Sequence, residues 1–218
     1  MRWKDTATGY GWVSIILHWL TAIFIIVMLF VGNSIEGSRG IYDDKLRLHT
    51  TLAFIFYLAL WFRVYWRFSK GHPGPLPRQK GFFFYVGKYT HFSLLIALVG
   101  MLISGPIMAW SGGLPVRVGH LFAIPSPIPM NPGLFSLAHE IHVACATFLA
   151  IGALLHIGGA AKHFFSNNDG TVDKILVAGA PPPDDEPYRS ALAGTDGRRR
   201  RIRWRAAGRK PRQQPAPD

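Results

Sequence analysis

The chain has 218 residues, a mass of 24.3 kDa and a formal charge of +12, with 49% apolar but only 17% charged residues; soluble domains average roughly 25% charged. Its single cysteine, Cys145, excludes a disulfide scaffold, a cysteine zinc or iron–sulfur site and C-x-x-C-H haem attachment. Abundant Phe, Leu, Ile and Trp exclude disorder as the overall state.

In chain order, Val13–Val31 is 19 residues without a charge. A bilayer-crossing helix needs about 20 such residues. The run IFIIVMLF within it has no polar face, as a soluble bundle helix would need. It is too long for a signal-peptide core, and no A-x-A-like site follows. Asn33–Ser34 reads as a turn into a loop. Thr50–Phe62 is apolar and aromatic, and extends to a 21-residue span, Leu46–Trp66, if its charged flanks snorkel. Phe92–Trp110 and Ile141–Ala161 are uncharged runs of 19 and 21 residues. The expected fold is all-α, an integral membrane four-helix bundle with both termini on one side.

Lys and Arg counts orient it. Arg2 and Lys4, six cations between spans two and three (Arg63, Arg67, Lys70, Arg78, Lys80, Lys88) and 12 after Ala161 lie on one side. Arg39, Lys45, Arg47 and Arg117 lie on the other, so the split is 20 to 4 and both termini are expected to be cytoplasmic. Trp12, Trp66 and Trp110 sit near span ends, as interfacial anchors do. Ser111–Glu140 is a proline-rich outer loop, expected as a cap on the membrane face. Residues 1–168 form the expected transmembrane domain. Residues 169–218 form a disordered basic tail, in which nine of the 16 residues Gly197–Arg212 are Lys or Arg. Arg198–Arg201, Arg203 and Arg205 suit anionic lipid, and no nucleic-acid partner is expected.

Nine histidines stand at 18, 49, 72, 91, 120, 139, 142, 156 and 163. Ionisable residues inside a membrane are costly and mark functional sites. With alternating spans, His18 and His156 share the inner level, and His49 and His142 the outer level. His142 and His156 are 14 residues apart, about 21 Å along a helix and within roughly 40° of one face. Two bis-histidine b-type haems fit that spacing, with electron transfer across the bilayer as the use. His139 competes with His142 but falls about 100° off the face of His156. His72 and His120 fall in loops and receive no role. His91 opens span three and His163 closes span four, which marks them as a candidate quinone or proton-uptake site at the inner surface. Ala144, Cys145, Ala146, Ala150, Gly152, Ala153, Gly158, Gly159, Gly100 and Gly105 allow close helix approach, and Cys145 reads as a packing residue.

These segments resemble the bacterial cytochrome b-561 family of four-helix dihaem membrane proteins. The matching pieces are Tyr10–Gly32 with its L-H-W, Leu48–Phe68 ending R-x-x-W-R, Thr90–Trp110, Leu114–Pro127 and His142–Phe164. The resemblance covers roughly residues 8–166. It implies that His18 and His156 bind the inner haem b and His49 and His142 the outer one. The family commonly carries H-K-S-x-G on span two, whereas this chain has His49-Thr50-Thr51-Leu52-Ala53. Stand-alone members are superoxide oxidases that pass electrons from superoxide to ubiquinone. Related cytochromes are membrane-anchor subunits of hydrogenases and formate dehydrogenases, which take electrons from a partner oxidoreductase. The compact length looks more like the first group. That resemblance implies a multi-pass protein of the bacterial inner membrane, an oxidoreductase with ubiquinone as acceptor and superoxide or another periplasmic electron donor. Lys45, Arg47 and Arg117 are then candidates for attracting superoxide, although Glu36, Asp43, Asp44 and Glu140 leave that face near neutral with Arg39.

Overall fold

The computed structural model describes residues 3–6, 9–35, 44–70, 82–167 and 172–179. Four long helices carry the architecture: α1 (Trp12–Ile35), α2 (Asp44–Lys70), α3 (Phe82–Ser111) and α4 (Pro132–Lys162). All four are long and apolar enough to cross a membrane. A short hairpin of β1 (Val116–Val118) and β2 (Phe122–Ile124) joins α3 to α4, so the fold is mostly rather than purely helical. A π-helical turn (His163–Asn167) and a single turn, α5 (Asp173–Leu176), follow α4.

Helices three and four begin well before the apolar windows expected for them. Charges end a hydropathy window, but they do not end a helix while each N–H still finds its i−4 carbonyl. The start of α4 is set by local chemistry. Asn131 Oδ1 accepts the Leu134 N–H at 3.0 Å, and Pro132 occupies the first turn, where no N–H is required. The expected outer loop therefore ends at Asn131. Asn33 and Ser34 are likewise helical, with Ser34 Oγ donating to Val31 O at 2.7 Å.

Pro106 lies inside α3 and cannot donate to the Leu102 carbonyl. Tyr57 of α2 fills that gap: its hydroxyl donates to Leu102 O at 3.2 Å. Freed backbone acceptors inside a bilayer need such a partner. Phe24, Leu60, Val64, Leu95, Leu98 and Leu102 form the buried core around this point. Outward faces are as apolar as the core: Phe30 is 76% exposed, Leu58 78% and Leu154 71%. A soluble protein would not leave such a surface in water, and a bilayer covers it.

The helices associate chiefly as two pairs, α1 along α2 and α3 along α4. Small residues bring the second pair together. A Cβ on Gly100 would sit 2.6 Å from Cys145 Sγ, and one on Gly152 would sit 2.7 Å from Leu94 Cδ2. Cys145 thus has the packing role expected of it. Between the pairs the approach is sparse, and among the described residues α2 and α4 make no close backbone contact.

The hairpin is seated over the start of α2. Thr50 Oγ1 donates to Arg117 O at 2.8 Å, and the Gly119 N–H donates to Thr51 Oγ1 at 2.8 Å. Gly119 turns the hairpin with φ +55°, a conformation that favours glycine. At the opposite end, Trp19 Nε1 donates to Ile175 O at 3.1 Å and the Gly179 N–H to Tyr10 O at 3.0 Å. These bonds tie α5 to α1, and both lie in the compact unit Met1–Pro181. Pro182–Asp218, with the basic tail, lies outside the described residues, as do Arg2, Glu36, Arg39, Asp43, His72, Arg78 and Lys80.

Candidate functional site: two histidine pairs

Four histidines meet as two pairs across the gap between the helix pairs. His18 of α1 and His156 of α4 stand near the end where α1 begins and α4 finishes (here the termini end), with ring centroids 6.2 Å apart and planes at 73°. His49 of α2 and His142 of α4 stand near the hairpin end, at 6.3 Å and 67°. Direct ring contact in the same molecule looks different: His91 meets His156 edge-on at 4.6 Å.

The wider spacing has a simple arithmetic. A metal–imidazole nitrogen bond is about 2.0 Å. A five-membered ring with bonds near 1.33 Å has a radius of about 1.1 Å. Two imidazoles holding one metal from opposite sides would have centroids about 6.2 Å apart, by the same bond lengths. Both pairs have that separation. Among the described residues no three His, Cys, Asp or Glu side chains cluster, and each pair brings two imidazoles together.

The rings are oriented from behind. A Cβ on Gly32 would lie 3.5 Å from His49 Cε1 and 3.6 Å from its Nδ1. One on Gly105 would lie 3.4 Å from His142 Cε1 and 3.7 Å from its Nδ1. At Gly32 and Gly105 the Nδ1–Cε1 edge of each ring lies against the neighbouring helix, where a side chain larger than alanine would meet it. Ser104 Oγ lies 3.0 Å from His142 Nδ1 and fixes that ring further. At the termini end, Arg63 Nη2 lies 3.4 Å from His18 Nδ1.

A polar network joins the start of α1 to the end of α2. Asp5 accepts the Gly11 N–H and the Ser14 hydroxyl, each at 2.7 Å, and Trp66 Nε1 donates to Ser14 Oγ at 2.8 Å. Trp66 thus ties α2 to α1. Burial pushes the Tyr10 phenol above its ordinary range, opposed chiefly by the Arg67 guanidinium, so it stays a neutral hydroxyl at neutral pH.

The other candidates fall as follows. His91 lies within α3 and not at its start, in edge contact with His156. His163 opens the π-helical turn after α4. His139 is exposed and stacks on Phe135 of its own helix at 6.0 Å, leaving His142 opposite His49. Lys45 Nζ donates to Ser34 O at 2.9 Å, Arg47 pairs with Asp44, and the hairpin holds the Arg117 backbone above His49. Arg47 is therefore compensated by its own helix. A groove of about 450 Å³ lies between α3 and α4, lined by Tyr85, Tyr89, Leu94, Phe148 and Leu155; neither His91 nor His163 lines it.

Arg63 and Ser104 were not legible as site residues. Arg63 counts by sequence with the loop cations, although a charge beside so aromatic a stretch (WFRVYW) was a usable signal. Ser104 next to Gly105 gives no signal of its own.

The sequence matches the family described as prokaryotic cytochrome b561 over residues 9–177. It is 27% identical to cytochrome b561 homolog 2 of Escherichia coli (strain K12) over 179 residues, which is 81% of this chain and 95% of that relative.

Proposed function

The chain belongs to the prokaryotic cytochrome b561 family of haem b-binding, electron-transferring membrane proteins, and from that premise we propose that it holds two haems, one between His18 and His156 and one between His49 and His142. The observation that carries this reading is the pair of matched ring separations, 6.2 and 6.3 Å, on one helix 14 residues apart. When bound, haem iron accepts and releases single electrons. The four imidazoles hold and space the two sites. Apolar outer faces keep them in the bilayer, and the hairpin covers the site beside α2.

We assign the termini end to the cytoplasm of a bacterium's inner membrane, on the 20-to-4 division of Lys and Arg. The activity is superoxide:ubiquinone oxidoreductase. Two superoxide ions each lose an electron to become O₂, and one ubiquinone takes the two electrons and two protons to become ubiquinol. Family resemblance supports this choice over an anchor subunit. Arg117 and Lys45 supply positive charge where the anion arrives. Ubiquinone is reduced at the other end, beside His91 and His163, and the 4.6 Å contact of His91 with His156 supports that position.

The test is a reduced-minus-oxidised spectrum with a pyridine haemochrome count on the purified chain, followed by superoxide-dependent quinone reduction. Two haems per chain and turnover by the chain alone are expected. Absence of haem after ample supply overturns the pairing. Two haems with reduction only by a copurifying hydrogenase or dehydrogenase would make the chain an anchor subunit.

A further inference from the structure

The two histidine pairs have unlike neighbours at Nδ1, the nitrogen that a metal-bound Nε2 leaves free. At the hairpin end, Ser104 is buried, 3% exposed, with Oγ 3.0 Å from His142 Nδ1. A hydroxyl accepts as well as donates. With Nε2 on a metal, Nδ1 keeps its proton and Ser104 accepts it. Such a bond makes the imidazole a stronger donor to the metal and favours the oxidised state.

At the termini end, the neighbour of His18 Nδ1 is Arg63, at 3.4 Å. A guanidinium has no acceptor and stays charged. The separation exceeds a good hydrogen bond of roughly 2.7–3.2 Å, so Arg63 acts here as a fixed positive charge. The Asp5 carboxylate keeps its charge; its hydrogen bonds go to the Gly11 N–H and the Ser14 hydroxyl, so Arg63 is the charged group in contact with His18. Tyr10 is neutral, and Arg67, one turn on, has the same sign. Reduction removes a positive charge from a metal, so a cation in this low-dielectric setting favours the reduced state.

We infer that the two ends are biased in opposite redox directions. Arg63 raises the electron affinity of the site at His18 and His156, Ser104 lowers that of the site at His49 and His142, and electrons run downhill from hairpin end to termini end. This inference rests on the haem pairing proposed above.

Redox titration of the full chain in detergent, followed at the haem α-bands, tests it. Arg63→Gln should keep two haems and lower one midpoint by about tenfold in reduced-to-oxidised ratio, about 59 mV for a one-electron couple, while Arg63→Lys retains most of the wild-type value. Ser104→Ala should raise the other midpoint and leave the first in place. Two retained haems with neither midpoint moved, or both variants acting on the same one, overturns the inference and leaves the pairing intact. A wild-type chain with fewer than two haems defeats the pairing itself. Should Arg63→Gln lose a haem, Ser104→Ala decides alone: a midpoint unmoved or lowered refutes the bias.

Discussion

The two ends of the bundle solve one problem with different materials. At the hairpin end, His49 and His142 are backed by glycines, Gly32 and Gly105, and His142 by a buried hydroxyl. A two-stranded lid closes over them through Thr50 and Thr51. At the termini end no glycine backs the rings among the described residues: a Cβ on Gly158 or Gly159 would meet nothing within 4 Å. That end has Arg63 beside His18, and Asp5, Ser14 and Trp66 bonded to one another between the start of α1 and the end of α2. Steric seating makes one site sensitive to volume. Electrostatic seating makes the other sensitive to charge.

The sharpest break of this contrast is removal of a ligand at each end. His156→Ala and His142→Ala should each halve the haem count, from two to one, and leave complementary spectra. Loss of both haems in either variant would mean that the sites are not independent. Next in size is volume. Gly105→Val should push the His142 ring forward and cut occupancy at the hairpin-end site by more than half, while Gly159→Val leaves both sites filled. Equal losses from the two valines, counted by pyridine haemochrome, would erase the distinction.

Smaller effects separate the shared scaffold from the ends. Tyr57→Phe strands the Leu102 carbonyl left open by Pro106. It should cost about 1 kcal/mol in thermal unfolding in detergent, with both haem spectra unchanged. A spectral change confined to one site would show that Tyr57 serves that end. Thr51→Val removes the acceptor for the Gly119 N–H and should cost about 0.5–1 kcal/mol of local hairpin stability. Hydrogen exchange at Gly119 should accelerate, with no change at Ile175 or Gly179.

Much of this was readable in advance because a bilayer punishes exceptions. Uncharged runs named four helices, and histidines at fixed spacing on the fourth put two rings on one face. Helix ends were less readable. Asn131–Pro132 is a start signal in the handling of backbone N–H groups, but the apolar run begins nine residues later, at Ile141. The hairpin was missed because its strands have three residues each, too few for a period-two pattern.

By itself, the sequence determined the class of solvent, the number of crossings and which histidines share a level, since each follows from composition and a constant helical rise. Tertiary structure alone decided what stands behind each ring. The pairing of Arg63 with His18 and of Ser104 with His142 joins residues 45 and 38 positions apart on different helices. Their meeting depends on how α2 rotates against α1 and how closely glycines let α3 approach α4, and no local periodicity encodes either.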